Sequence, residues 1–275
     1  MTPPNITNGF ETSPNRNHAV NFNYVWDEAN EYWTSEKGSS LGYNSIVGQA
    51  KDYIHKFGSN PDVSNTVSAT APETVWDGSI GYTFPPDAGT GIQIKSSQAT
   101  DSQEFIVQGL DENFENQYWT GNLNGTNDVN IDGAWSRVFR AFNNGTSGIT
   151  GSIDIHASGD ASTVYAKVLA GNDQTSMAIY TVPADCTGYL LGYHMSANNP
   201  SSSSEIGYAT QIKTRQYWKV FRVQEVTSVT TNAFSKNTYP FPLQLPPKTD
   251  VIVNITSSNG NNGAINADFD VALLY

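Results

Sequence analysis

The chain has 275 residues, with 26 acidic side chains against 14 Lys and Arg and a formal net charge of −12. This charge repels phosphate backbones and argues against nucleic acid as a partner. No stretch approaches the ~20 apolar residues that a membrane-spanning helix needs, and the single cysteine, Cys186, excludes an internal disulfide. We therefore expect a protein that folds around an ordinary apolar core and contacts neither a membrane nor a nucleic acid.

The first part of the chain differs from the rest. Residues 1–15 are rich in proline and have no periodicity, which predicts an extended arm. Apolar residues recur at spacings of three and four between Asn44 and Phe57, so this stretch predicts one short amphipathic helix. The polar residues that follow, up to Ala71, have the composition of a linker. We assign residues 1–70 to an N-terminal arm with a short helix and a linker.

The remainder of the chain, residues 71–275, is predicted to be a β body. Short stretches such as Val251–Thr256 and Asp268–Tyr275 alternate apolar with polar or small residues and are separated by turn-forming residues. The pattern predicts an all-β fold: an antiparallel β-sandwich of two packed sheets, jelly-roll-like, behind the N-terminal arm with its helix. A second, softer boundary is expected near residues 184–187.

One spacing is typical of a metal site. Asp128, Asn130 and Asp132, followed by Gly133, reproduce the first half of a calcium loop, but Phe139 stands where a complete loop needs glutamate. The three residues are candidate calcium ligands, and the alternative is the polar face of a strand or turn. The sequence contains no zinc-type histidine spacing, no phosphate loop and no nucleophile elbow, so we expect neither a cofactor nor catalysis.

Several residues are candidates for contact with a partner. Two tryptophans in an acidic, aromatic stretch suit a docking strip, and three basic residues are predicted to share one strand face. That face would pair with an acidic neighbour or remain solvated. The last residue closes an apolar strand, which indicates a sheet interior or a subunit interface. The candidates are Trp26, Trp33, Lys213, Arg215, Lys219 and Tyr275.

Eight short motifs, in order from Lys56 to the C-terminus, carry a resemblance to a known family. They are KFGSNPD from Lys56, TVWDG from Thr74, SSQATD from Ser96, VQGLD from Val107, LNGT from Leu123, RVFR from Arg137, AGNDQTSMAIYTVPA from Ala170 and ADFD from Ala267. In this respect the chain resembles a family of tailed-bacteriophage virion structural proteins that is frequent in marine phages. The resemblance does not extend to the first fifty residues.

The resemblance implies a non-enzymatic particle component that coats the head or projects from the virion. We expect it to decorate or cement the capsid as a homo-oligomer, with a trimer as the first choice on grounds of capsid symmetry. Its partners would be the major capsid protein or other virion proteins. The N-terminus lacks a signal-peptide pattern, which predicts assembly in the host cytoplasm.

The alternative function is a receptor-binding module of a phage fibre or tail that binds a host glycan. Aromatic side chains on a polar β scaffold suit stacking against sugar rings. Tyr118 and Trp119 are the candidates for stacking, and the loop Asn198–Ser204 is expected to frame a shallow site. A polysaccharide-degrading enzyme is the third hypothesis. It would need a pair of catalytic carboxylates, and the candidates are acids of a predicted loop, Asp111, Glu112 and Glu115.

Overall fold

The computed structural model describes the backbone of residues 23–27 and 32–36, and describes residues 46, 48–50, 52–199 and 205–275 in full. These residues form seventeen β-strands and one helical turn. A search of the same residues finds no helix with the length and apolarity to cross a bilayer. The first two strands, β1 (Asn23–Asp27) and β2 (Tyr32–Glu36), pair with each other as an antiparallel hairpin.

The other strands form three antiparallel sheets. The first contains β5 (Thr90–Ser96), β6 (Glu104–Asp111), β7 (Asn116–Asn122), β8 (Val129–Asn143), β9 (Ile153–Ala157) and β10 (Asp160–Val168). Its strand order is β10-β9-β5-β8-β6-β7, so all six strands come from one continuous part of the chain.

The second sheet contains β4 (Glu73–Thr74), β11 (Ile179–Thr181), β13 (Gly207–Arg215), β14 (Arg222–Thr230) and β16 (Asp250–Ser258). Its order is β11-β16-β13-β14, with β4 paired to β16. The third sheet contains β3 (Asp52–Val63), β12 (Thr187–Asn198), β15 (Ala233–Leu245) and β17 (Gly263–Leu274), in the order β15-β12-β17-β3.

The five-stranded sheet lies between the other two. On β16, Val251, Val253 and Ile255 belong to the core shared with the four-stranded sheet, whereas Ile252 belongs to the core shared with the six-stranded sheet. Successive side chains of a strand point to opposite faces, so both faces of β16 are covered. The strand is accordingly buried at every position from Asp250 to Thr256. The protein is therefore a stack of three sheets with two cores.

The predicted all-β sandwich is confirmed, but its layers and its starting point differ from the expectation. Three sheets are packed where two were predicted, and the body begins with β3 at Asp52 instead of residue 71. The chain leaves the six-stranded sheet at Val168 and enters the five-stranded sheet at Ile179, before residues 184–187. Residues 184–187 lie where the chain passes from β11 of the five-stranded sheet to β12 of the four-stranded sheet.

The predicted helix is largely wrong. Among the described residues of this stretch, helical backbone is found at Ile46, Gly48 and Gln49, and the amide of Ala50 donates to the carbonyl of Ile46 at 2.9 Å. From Asp52 the chain is strand β3, which is paired along its length with β17. Apolar spacing favoured a helix locally, but the hydrogen bonds and buried surface gained by joining a sheet outweigh a weak local propensity.

A buried charge cluster joins the six-stranded and five-stranded sheets. The carboxylate of Asp250 on β16 accepts three hydrogen bonds. The donors are Nε of Arg137 on β8 (2.7 Å), Nε of Arg215 on β13 (2.8 Å) and the hydroxyl of Thr181 (2.6 Å). Asp250 and Arg137 are both almost fully buried. A shared carboxylate of this kind pairs with two guanidinium groups and offsets the cost of removing their charges from water.

Aromatic rings complete the surroundings of Arg137. The guanidinium carbon lies 5.0 Å from the ring centroid of Phe84 and 4.8 Å from that of Phe114, distances suited to cation–π attraction. A second carboxylate, that of Asp87, accepts from Nη2 of Arg137 at 2.8 Å. Burial is the largest single influence and disfavours the charged guanidinium, but the charges and hydrogen bonds of Asp250 and Asp87 together outweigh it and raise the pKa of Arg137 above its ordinary value.

Replacement of Asp250 by asparagine tests the importance of this cluster. The change removes the negative charge and leaves the buried Arg137 undercompensated, so we expect Asp250→Asn to lower the free energy of unfolding by about 3 kcal/mol. Urea denaturation followed by tryptophan fluorescence measures this. The matched control is Asp154→Asn, which breaks the partly exposed Lys167–Asp154 pair (2.7 Å); about 1 kcal/mol or less is expected there. Equal losses in the two variants would contradict the assignment.

Candidate functional site

A groove of about 490 Å³ lies between the edge strand β3 and the face of the six-stranded sheet formed by β6, β7 and β8. This volume lies within the range of sites that bind small molecules. The groove is lined by Tyr53, Ile54, His55, Lys56, Phe57, Gln108, Gly109, Asn116, Gln117, Tyr118, Phe139, Arg140, Thr175 and Tyr180.

Two glycines allow close backbone contacts on the strands that border the groove. A Cβ atom on Gly58 would lie 2.2 Å from the amide nitrogen of Ala178, and one on Gly109 would lie 2.0 Å from the carbonyl oxygen of Arg137. No side chain fits at either position, so the backbones of β3 and β6 approach their neighbours closely. Gly109 also adjoins a register shift in the pairing of β6 with β8, which turns this part of the strand.

Two cations lie on the walls of the groove. Lys56 is buried, donates from Nζ to the carbonyl oxygen of Phe139, and places Nζ 5.7 Å from the centroid of the Phe139 ring. Arg140 is exposed and stacks on Phe142, with its guanidinium carbon 4.8 Å from the ring centroid. Among the described residues, no carboxylate lies within ion-pair distance of either cation.

The environment of Lys56 lowers its pKa to about 7. Burial is the larger cause, because the charged amine loses its hydration, and the nearby positive charge of Arg140 adds to the effect. Positive charge is therefore held in this groove at an energetic disadvantage that no carboxylate of the described residues relieves.

The rest of the lining consists of aromatic rings and side-chain amides. Tyr118 is 78% exposed and Tyr53 is 52% exposed, so their rings are accessible from solvent. The amides of Gln108 and Asn116 have no recorded hydrogen-bond partner within the described chain, whereas that of Gln117 donates to the carbonyl of Ala134 at 3.0 Å. Rings and free amides of this kind bind sugars or other polyhydroxylated molecules.

The described residues that line the groove include no Asp or Glu, so the two-carboxylate chemistry of glycoside hydrolysis has no groups there. His55 lies at the edge of the groove, and its Nδ1 is hydrogen-bonded to Oδ1 of Asp270 at 2.8 Å on the outer face of the four-stranded sheet. The loop acid Asp111 accepts from the amides of Asn113 and Glu115 and so closes the turn between β6 and β7.

A second surface lies on the opposite side of the body, where β14 and β15 are the terminal strands of their sheets. We call this surface, with the loop 216–221 before β14, the β14–β15 edge. It carries six of the large apolar side chains that are exposed among the described residues: Trp218, Val220, Val223, Val226, Phe234 and Phe241. An uncovered edge strand with exposed apolar side chains is a site for pairing with another chain.

The β14–β15 edge is basic, although the whole chain is acidic. Residues 213–249 contain six of the 14 Lys and Arg of the chain and only one of its 26 acids, Glu225. That acid is turned inward, where it accepts hydrogen bonds from the hydroxyls of Tyr193 and Tyr239 at 2.6 and 2.7 Å. A basic edge on an acidic body is suited to an acidic partner surface.

The structure places the three basic candidates differently from the prediction. Lys213 lies on β13 opposite Val223, on the face that carries Val226. The strand ends at Arg215, whose half-buried side chain is turned onto Asp250. Lys219 lies in the loop after the strand, so strand alternation was the wrong basis for its position.

The remaining partner candidates lie at the two ends of the described chain. In the hairpin of β1 and β2, Trp26 is the cross-strand neighbour of Trp33 in the backbone register, and their side chains lie outside the described residues. The extended N-terminal arm also lies outside them. Tyr275 is exposed immediately after β17, which lies between β12 and β3 in the interior of its sheet.

The candidate calcium ligands do not form a loop. Residues 129–132 are extended in β8, and in a strand Asp128 and Asp132 are separated by about 13 Å, too far to share one ion. Asp128 instead contacts Nζ of Lys95 at 3.3 Å and Nε2 of His156 at 3.1 Å. Asn130 accepts from the Gln93 amide at 2.8 Å. Among the described residues, no cluster of three or more His, Cys, Asp or Glu is arranged to hold a metal.

The sugar-stacking candidates are partly placed in the groove. Tyr118 lines it, whereas Trp119, its neighbour on β7, packs against the core of the six-stranded sheet. Of the loop Asn198–Ser204, residues 200–204 lie outside the described part. Sequence analysis missed Lys56, Gln108 and Arg140, which meet only because β3 lies beside the six-stranded sheet. The two motifs that contain Lys56 and Arg140 gave no local signal for a cationic groove.

Comparison with known proteins identifies no family. No protein-family model matches the chain, and no curated protein matches it. A structure of the CBM22-1-CBM22-2 tandem domain of Xyn10C from Paenibacillus barcinonensis aligns over 81% of this chain and 93% of its own, at 8% identity and a TM-score of 0.22. A structure of infectious bursal disease virus, Gx strain, aligns over 82% of this chain and 73% of its own, at 11% identity and a TM-score of 0.23. Likenesses this weak carry no argument about function.

The titration of Lys56 predicts a pH dependence of stability. The unfolded chain keeps this proton up to its ordinary pKa of 10.5, whereas the folded protein releases it near pH 7. Between these values the folded state binds fewer protons, so this residue makes stability rise with pH, by at most about 1.4 kcal/mol per pH unit. Below pH 7 its unfavourable contribution is present in full.

Lys56→Met removes this contribution and keeps most of the side-chain volume. The variant should be more stable than the wild type at pH 6–7, and its advantage should shrink as the pH rises toward 10. Urea denaturation of both proteins across this pH range measures the difference, in which the titration of all other groups largely cancels. A constant difference between the two proteins would show that the Lys56 amine titrates normally.

Proposed function

We propose that this chain is a non-enzymatic structural protein of a tailed-phage virion, which decorates or cements the capsid as a homo-oligomer. The observation that carries the proposal is the β14–β15 edge, an apolar and basic surface left uncovered on an otherwise acidic body. The ordered motifs from Lys56 to the C-terminus, which resemble those of phage virion proteins, supply the biological setting.

The edge has the features needed for contact with a second copy of the chain. Strand β14 contains no proline and exposes Val223 and Val226, and one of its backbone edges pairs with no other strand that the structure describes. Such an edge gains main-chain hydrogen bonds and buries apolar surface when another chain is added. In contrast, β15 contains Pro240 and Pro242, which protect it against continuous strand pairing. We therefore place the contact on β14.

The distribution of charge supports a trimer over a symmetric dimer. In a two-fold dimer the same surface meets itself, and two basic edges would repel each other. In a cyclic trimer the edge of one copy meets a different surface of the next. Residues outside 213–249 hold all but one of the acidic side chains, so a contact surface elsewhere on the body can supply negative charge. Opposite charges across the contact favour this arrangement.

On the capsid, such a ring would bridge neighbouring capsomers. Each bridge adds buried interface area, so more contacts must break before the shell opens under the pressure of the packaged genome. The N-terminal arm and the hairpin that contains Trp26 and Trp33 are assigned to the contact with the shell. The β body supplies a stiff spacer between the arm and the exposed end of the protein.

A second candidate function, glycan binding by a fibre or tail component, is favoured by the groove. Accessible rings at Tyr53 and Tyr118 and free amides at Gln108 and Asn116 supply the groups that hold a sugar. The lining contains no carboxylate pair, so the bound sugar would be retained and not cleaved. The two functions use different surfaces and can be tested separately.

Substitution of one edge residue tests self-association. Val226→Lys introduces a charged side chain at the exposed position on β14, as natural edge strands do to prevent pairing. We expect the wild type to have about three times the 29.9 kDa mass of one chain in light scattering. The variant should dissociate roughly tenfold more readily, a loss of ~1.4 kcal/mol in the contact.

The matched control is Ile80→Lys, which makes the same change at an exposed β-branched residue outside the edge. It should leave the mass unchanged. A wild-type protein that remains monomeric at high concentration, or an equal effect of both substitutions, would overturn the assignment of the edge.

The position of the protein in the particle tests the decoration function. In a whole-virion reconstruction we expect its density on the head, repeated with the symmetry of the shell, because a cementing protein must bridge many capsomers. A matched reconstruction of particles that lack the protein provides the control. Density confined to the tail or a fibre would reject decoration and favour the glycan-binding function.

A further inference from the structure

The two cations of the groove have no carboxylate partner among the described residues, although the chain has almost twice as many acidic as basic side chains. The other buried cation that the structure describes, Arg137, contacts two carboxylates. Lys56 and Arg140 are close enough for mutual repulsion but contact no carboxylate among the described residues. Lys56 is only 8% exposed, so solvent compensates little of its charge. An anionic group placed between these side chains would relieve both the repulsion and the loss of hydration.

The groups around the cations restrict the kind of anion. A small inorganic ion would use Lys56 and Arg140 alone and would leave the aromatic rings and the amides of the 490 Å³ groove unused. A nucleic acid is disfavoured by the charge of −12, which repels a polyanionic backbone at long range. An anionic group attached to a ring with several hydroxyls uses all the features together.

We propose that the groove binds an acidic saccharide, with the carboxylate or sulfate of a sugar between Lys56 and Arg140. The sugar face stacks on Tyr118 or Tyr53 at the mouth of the groove. The amides of Gln108 and Asn116 donate to and accept from its hydroxyls. This inference rests on the second candidate function, glycan binding, and adds the class of glycan.

The arrangement also explains why the cations are of two kinds. Lys56 presents a point charge fixed in the wall by the carbonyl oxygen of Phe139 and by the Phe139 ring. Arg140 presents a planar fork from the exposed side, supported by Phe142, and can bind two oxygens of one anion. A carboxylate or sulfate that enters from solvent meets Arg140 first and is then seated against Lys56.

The test is isothermal titration of the full chain with matched saccharides. Trigalacturonate carries carboxylates, a sulfated galactotriose carries sulfates, and galactotriose is the neutral counterpart of both. We expect at least one of the two anionic probes to bind roughly tenfold or more tightly than the neutral one, as is usual for a charge-assisted site. Whichever anionic saccharide binds more tightly identifies the anionic group as a carboxylate or a sulfate. Free acetate and sulfate at equal concentration should bind far more weakly than the saccharides.

Three variants locate the binding. Lys56→Met and Arg140→Gln should each weaken binding of the anionic saccharide roughly tenfold and leave any binding of galactotriose unchanged, because each removes one partner of the anion. The charge-matched control is Lys236→Met, on an exposed part of β15 outside the groove, which should have no effect on either ligand. Arg140 is exposed, so its variant remains informative if Lys56→Met does not fold.

The outcomes separate the two levels of the proposal. Equal binding of neutral and anionic saccharides, insensitive to both groove variants but weakened by Tyr118→Ala, would overturn the acidic saccharide and leave glycan binding in place. No binding of any saccharide would overturn both. An equal effect of Lys236→Met and Arg140→Gln would show that binding follows net charge and would reject the groove.

Discussion

The carboxylate of Asp250 is the point on which the stack of sheets depends, because side chains from two sheets share it. It lies on β16 in the middle layer, where Arg137 reaches it from the six-stranded sheet and Arg215 from β13. Arg137 is compensated by Asp87 and, when the six-stranded sheet is seated over β16, by the buried carboxylate of Asp250 as well. On the other face of the same strand, Val251 and Val253 fill the second core. One strand therefore fixes the positions of both outer layers, and with them the groove between β3 and β8.

The local spacing of apolar residues predicted much of the fold correctly. It failed where pairing with a distant strand overrides local preference. Alternation in Asp268–Tyr275 correctly indicated a strand inside a sheet. In Val251–Thr256 the same alternation suggested one buried face, yet both faces are buried because a third sheet covers the strand. The helix predicted between Asn44 and Phe57 failed for a related reason. Spacing within one segment does not reveal that β17 is available as its partner.

The candidate site was less accessible to sequence reasoning than the fold. Lys56 and Arg140 are separated by 83 residues that lie between them, and their meeting depends on the order of strands in two sheets. Arg215 illustrates the opposite error, because its place in a basic stretch suggested exposure while its acidic partner lies 35 residues further along the chain. Motifs with fixed spacing can be recognised in a sequence. Whether a cation has a carboxylate nearby can be known only once the fold is known.

The two proposed surfaces are compatible with each other. They lie at opposite edges of the four-stranded sheet, because β15 ends it on one side and β3 on the other. Both are positively charged, so the β14–β15 edge of one copy is not attracted to the groove of the next. In the proposed ring the edge would contact an acidic surface of the neighbouring body, and the groove would remain open. A protein that cements a shell through one edge can therefore still present its groove to a saccharide outside the particle.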